Sequence, residues 1–122
     1  MKTVLERVEE VTKNLNPLNL KKVSLLSVKI ANNNPSNGSL RIKGFLTENT
    51  FVEIFEFMFA GEIIKYSYTL VKHQKSFLRY DNSPHHQEIQ TYPHHKHFKD
   101  KIYPLPNHQL NIFVKDVLKI FQ

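Results

Sequence analysis

The sequence predicts an α+β fold in a single domain over residues 1–122, a curved antiparallel sheet of about five strands flanked by an N-terminal and a C-terminal helix. Three observations predict it. Apolar residues recur at helical spacing at both ends of the chain. From residue 22 to residue 82 they alternate instead, in short runs bounded by turn residues. A chain of 122 residues is also long enough for one modest core and too short for two.

The elements follow in order. Thr3 and Glu6 make a capping-box pattern, and Val4, Val8, Val11 and Leu15 lie opposite Glu6, Glu9, Glu10 and Lys13, which predicts a helix over 3–15 ended by Asn16-Pro17. Residues 22–31, rich in Val, Leu and Ile, form a first strand. The loop 32–38 closes on Asn37-Gly38, a hairpin signal, and Leu40, Ile42 and Leu46 then alternate with Arg41, Lys43 and Phe45. Residues 50–59 are apolar on both parities and read as a central strand covered on both faces.

After Gly61-Glu62, the run 63–72 sets Ile64, Tyr66, Tyr68 and Leu70 opposite Lys65, Ser67 and Thr69. A turn near Gln74-Lys75 leads to a last strand, 76–82, in which Phe77, Arg79 and Asp81 oppose Leu78, Tyr80 and Asn82. Residues 83–106, with four of the six prolines, read as a long irregular arm. Beyond Pro104 and Pro106, Leu110, Phe113, Val114, Val117, Leu118 and Phe121 trace the stripe of a C-terminal helix with Asn107 as N-cap.

Composition narrows the function. A hydrophobic fraction of 40%, with nine Phe and five Tyr, excludes disorder. The absence of cysteine removes disulfides, thiolate nucleophiles and cysteine-ligated metals, and makes the cytoplasm the expected compartment. The acidic N-terminal stretch and the lack of a long apolar run predict neither signal peptide nor membrane partner. With Gly38, Gly44 and Gly61 as the only glycines, there is no phosphate-cradling loop, nucleophile elbow or zinc-finger spacing.

The net charge is +6, and the stretch from Lys72 to Lys101 holds six Lys/Arg against three Asp/Glu, with six histidines in addition. Such a surface suits a polyanion, because basic groups displace counterions from phosphates. Within it, Arg79-Tyr80-Asp81-Asn82-Ser83-Pro84-His85-His86 and Thr91-Tyr92-Pro93-His94-His95-Lys96-His97 concentrate five of the seven histidines. Imidazole exchanges protons near neutral pH and is also the commonest metal ligand.

The turn at Asp81-Asn82-Ser83-Pro84 brings His85 and His86 out at a sheet corner. Pro93 imposes an extended approach, after which His95 and His97 share a face and His94 and Lys96 take the other. Metal-independent RNA cleavage needs a base for the ribose 2′-hydroxyl, an acid for the leaving 5′-oxygen and a cation against the phosphorane. His85, His86, His94 and His95 are the candidate acid and base. Arg79, Lys96 and His97 are candidates for holding phosphate, Tyr66, Tyr68 and Tyr92 for stacking a base, and Asp81 and Glu56 for support.

Two other readings stay open. The histidines with Asp81 could ligate zinc or manganese, although Arg79, Lys96 and Lys99 add positive charge and carboxylates are few. They could equally hold the arm in place by bonds to backbone carbonyls. His73 and Lys65 read more simply as structural and solvated residues.

The order Glu56, Lys65-Tyr66-Ser67-Tyr68, Asp-Asn-x-Pro-His-His from Asp81 and Pro-His-His-Lys-His from Pro93 resembles the TumE family, toxin components of prokaryotic toxin–antitoxin pairs, over roughly residues 38–121. The resemblance implies a small toxin neutralised by a cognate antitoxin, typically a helix-turn-helix protein resembling TumA. Small toxins of such pairs are mostly ribonucleases, so RNA or the ribosome is the implied target, with no cofactor. The sheet-plus-helices plan is broadly similar to that of RelE-type toxins, a likeness of fold alone. The two-sided apolar strand further suggests a homodimer or an antitoxin docking surface. A non-catalytic RNA- or ribosome-binding module and a metal-dependent phosphodiesterase are the competing functions.

Overall fold

A computed structural model of the chain describes residues 1–106 and 109–121, so Asn107, the expected N-cap, lies outside the described residues. Helix α1, Val4–Asn14, starts at the capping box: the Glu6 amide donates to Thr3 Oγ1 at 3.1 Å and the Thr3 amide to Glu6 Oε1 at 2.9 Å. These bonds satisfy amides that the first turn otherwise leaves unpaired, and they hold the Glu6 carboxyl below its usual range. A single 3-10 turn over Asn16–Leu18 then leads into the sheet.

Seven strands follow as a meander in which each pairs antiparallel with the next: β1 Lys22–Ala31, β2 Asn34–Thr47, β3 Thr50–Phe59, β4 Glu62–Lys72, β5 Lys75–Asp81, β6 His95–Phe98 and β7 Lys101–Pro104. Helix α2, Leu110–Phe121, closes the chain. The α+β class stands, and the count of about five strands is corrected to seven. The two additional strands lie in the arm expected to be irregular.

Two-residue turns with left-handed backbone set four of the hairpins: Asn32-Asn33, Ala60-Gly61, His73-Gln74 and Lys99-Asp100 all have positive φ. The first turn is therefore not at Asn37-Gly38, which lies within β2. Asparagine tolerates the left-handed region, so Asn32-Asn33 serves. Gly38 is required for another reason. Its φ is +148°, and a Cβ there would sit 1.9 Å from the Lys29 carbonyl oxygen across the hairpin. Beside it, Asn37 Oδ1 accepts from the Ala60 amide at 2.7 Å and pins the β3–β4 turn.

Both helices pack on one face of the sheet, and Leu40, Ile42, Val52, Ile54, Tyr66, Tyr68, Leu70, Leu78 and Tyr80 meet them as the core. Phe113 of α2 sets its ring edge-on to Tyr80 at 5.3 Å and against Tyr68 at 5.8 Å. Glu56 is fully buried in this layer. Arg7 of α1 grips it twice, at 2.7 and 2.8 Å, and the Tyr68 hydroxyl donates to it at 2.6 Å. Burial works to lower the Arg7 pKa, but the bonds to Glu56 outweigh it and raise it. A buried charge without such a partner is unfavourable by several kcal/mol, roughly, which explains the paired arrangement.

The opposite face of β3 is not covered by another element among the described residues, contrary to the two-sided burial expected for residues 50–59. Its phenylalanines are shielded by cations instead: Lys43 Nζ sits 4.0 Å above the Phe51 ring and the Arg41 guanidinium 4.7 Å above Phe55. No helix among the described residues is long and apolar enough to cross a membrane.

Candidate functional site

The β5–β6 ladder builds the site. Arg79 pairs with His97 and Asp81 with His95, while Leu78 and Tyr80, on either side of Arg79, turn into the core. Alternation along each strand therefore places Arg79, Asp81, His95 and His97 together on the face away from the helices. Asn82 extends the β4–β5 pairing with its side chain, accepting from the Tyr66 amide at 3.1 Å and donating to the Ile64 carbonyl at 3.0 Å. The chain then turns as Asp81 Oδ1 accepts from the Ser83 amide at 3.0 Å, which returns His86 over the ladder.

His86, His95 and His97 form an edge-on triangle of rings with centroids 4.7–5.4 Å apart. One nitrogen from each lies within 4.8 Å of the others. Asp81 anchors the triangle from below. Its Oδ1 is 2.9 Å from His95 Nε2, and its Oδ2 accepts from Arg79 Nε at 2.8 Å and lies 3.7 Å from His97 Nε2. His95 is itself 2% exposed, with Nδ1 2.9 Å from the Pro93 carbonyl oxygen. Glu88 Oε1 lies 3.4 Å from His86 Nδ1.

Burial, followed by the charge of His95, holds His97 below the ordinary imidazole value, against the opposing pull of Asp81; His86 and Arg79 add smaller downward contributions. The downward shift favours the neutral imidazole at His97, which lies beside the exposed guanidinium of Arg79. A neutral base and a fixed cation share one shallow cleft, lined also by Ser83 and His85.

The remaining expected residues are distributed differently. His94 faces the other side of the sheet, stacked on Tyr66 at 5.7 Å with its Nδ1 3.0 Å from the Tyr66 hydroxyl. Lys96 also points that way and donates to Asp116 Oδ2 at 2.7 Å, an oxygen that also accepts from the Tyr80 hydroxyl. Neighbours in an extended segment alternate, so His94 and His95 cannot both reach the cleft; His95 does, while His85 and His86, in the irregular segment after β5, both line it. Tyr66 and Tyr68 are buried in the core, 1% and 0% exposed, which leaves no ring face for a base. Burial, together with the charge of Asp81, pushes the Tyr66 phenol up, and burial with Glu56 does the same to Tyr68. Glu56 belongs to the Arg7 ion pair on the helix side, and Tyr92 is exposed on the arm outside the triangle.

Sequence reasoning passed over Arg41, Phe51 and Phe55 and read Lys65 as merely solvated, yet these residues line a broad groove on the same outer face, with Arg79 and Ser83 common to groove and histidine cleft. The alternation of Lys65 with buried tyrosines was the available signal, since it faces away from the core.

The family model of toxin TumE matches residues 15–121, which takes in every strand, the whole histidine cleft and α2. The chain belongs to the TumE toxin family. It is thus the toxin of a toxin–antitoxin system, and a cognate antitoxin is its partner. Neither the curated proteins nor the solved structures offered a match to the chain.

Proposed function

We propose that this TumE toxin cleaves RNA in the His86–His95–His97 cleft without a metal. The observation that supports the reading most directly is the pairing of a neutral His97 with the charged Arg79 across the β5–β6 ladder, beneath His86. His97 takes the proton of a ribose 2′-hydroxyl as that oxygen attacks the adjacent phosphorus. His86 supplies a proton to the 5′-oxygen as the P–O5′ bond breaks, and Arg79 faces the charge of the phosphorane. The products are a 2′,3′-cyclic phosphate and a 5′-hydroxyl end. Asp81 and His95 are positioning residues that hold the frame.

One observation favours a metal-dependent alternative: the three imidazoles present nitrogens within 4.8 Å of one another. Against it, both His95 nitrogens already face protein acceptors at 2.9 Å, Asp81 and the Pro93 carbonyl, so ligation requires giving up one of those contacts. The test is the purified toxin on a synthetic RNA, with and without chelator, with the product ends identified. Cyclic phosphate ends unaffected by chelator support the proposal. Cleavage that needs a divalent ion overturns its metal-free form, and RNA binding without cleavage points to a non-catalytic RNA- or ribosome-binding toxin.

The antitoxin is proposed to be a helix-turn-helix protein of the TumA type, as the family resemblance implies. We propose that self-association uses β1, one of the two edge strands of the sheet, where Val23, Leu25, Leu26 and Ile30 are exposed. Sedimentation of the purified toxin tests this: a dimer that Leu25→Lys dissociates supports it, and a monomer overturns it.

A further inference from the structure

The ladder registers extend the site far beyond the histidines. Arg41 pairs with Phe55, Phe55 with Ser67, Ser67 with Asp81 and Asp81 with His95, forming one row of outer-face residues across five strands. A parallel row runs Lys43, Glu53, Thr69, Arg79, His97. Each strand-to-strand step is about 4.8 Å, so the rows reach about 19 Å from the β2 cations to the histidine cleft.

Their composition is graded along that path. At the β2–β3 end stand phenylalanine rings and cations. In the middle, Ser67 and Thr69 are short enough to leave the groove open. At the far end lie Arg79 and the cleft. Arg41 neutralises Glu53 at 2.8 Å, and Lys65 is exposed along the flank with no ion pair among the described residues.

We infer that this groove is the path of single-stranded RNA into the cleft, with bases taking the place of the Lys43 and Arg41 side chains that cover the Phe51 and Phe55 rings in the unbound protein, and phosphates near those displaced cations, Lys65 and Arg79. The inference rests on the reading of the chain as a toxin that acts on RNA, and deepens it by naming the substrate form. Aromatic faces beside a line of cations suit an unpaired strand, because stacking needs a base free of its duplex. A duplex presents phosphates but no open base faces, so it gains only the electrostatic part. Charge complementarity and continuity with the cleft through Arg79 and Ser83 both favour this occupant over a protein.

The test measures binding by fluorescence anisotropy, using a His97→Gln protein to prevent turnover, with one labelled RNA offered single-stranded and as a duplex. The expected result is tighter binding of the single strand, weakened about tenfold by Lys65→Glu and by Phe55→Ala. Lys65 is exposed, so its variant folds even where Phe55→Ala does not. Equal affinity for duplex, or unchanged affinity in Lys65→Glu, overturns the groove inference. Cleavage by the wild-type protein is measured separately. Groove-dependent binding without cleavage leaves this inference standing while the nuclease reading falls, and cleavage with groove-independent binding does the reverse.

Discussion

Asp81 and His95 face each other across the β5–β6 ladder with 2.9 Å between Oδ1 and Nε2, and both side chains are all but sealed from solvent. The same carboxylate accepts from Arg79 and from the Ser83 amide, so one buried group ties together two strands, the turn that follows and the cation of the cleft. Asp81→Ala therefore leaves His95 and an amide without their acceptor. Breaking a buried pair of this kind lowers stability by about 3–5 kcal/mol, to be read from urea denaturation followed by circular dichroism. A loss under about 1 kcal/mol contradicts the anchoring role.

Under the proposed mechanism, His97 sets the acid side of the pH profile. Because burial and its cationic neighbours hold it below the ordinary imidazole value of about 6.5, it stays an unprotonated base into mildly acid solution, and the acid limb of cleavage falls below that value. The folded protein binds this proton less readily than the unfolded chain, so stability also declines as pH drops through about 6.5. A pH–rate profile with its acid limb above about 7 contradicts the assignment.

In the proposed mechanism the Arg7–Glu56 pair serves the fold and takes no part in cleavage. Glu56→Ala strands a buried guanidinium and lowers stability by about 3–5 kcal/mol, whereas Arg7→Met with Glu56→Leu recovers part of the loss, because no charge is left unpaired although the Tyr68 hydroxyl loses its acceptor. Cleavage per folded molecule is unchanged in the double variant. Thermal melts and a single-turnover assay check both halves.

Gly38→Ala forces a methyl against the Lys29 carbonyl at a backbone angle that L residues rarely adopt. The expected cost is about 1–3 kcal/mol, with loss of β1 order visible as faster amide exchange at the hairpin. Unchanged exchange there rules out the steric explanation.

The parts of the fold legible in sequence are those whose periodicity is long. Val4, Val8 and Val11 behind a Thr3–Glu6 box mark α1, and alternation through Tyr66, Tyr68 and Leu70 marks β4. Strands β6 and β7 escaped because four residues such as His95-Lys96-His97-Phe98 carry too little alternation, and because Lys99-Asp100 forms a left-handed turn without glycine or asparagine. The same gap limited the reading of the site. The density of histidines marked the region, but without the pairing of Asp81 with His95 there was no means of seeing that Lys96 would leave the cleft for Asp116. The outer-face groove was hidden because Phe51 and Phe55 look like core until the helices are known to lie on the other side.

The most direct measurement is cleavage of a single-stranded RNA by purified wild-type, His86→Ala and His97→Ala proteins in the presence of chelator, with product ends identified by mass spectrometry. The expected result is 2′,3′-cyclic phosphate ends from the wild type and a loss of about 100-fold or more in each variant, with folding intact by circular dichroism. Wild-type rates in both folded variants, or no cleavage by the wild type without added metal, would contradict a metal-free histidine nuclease.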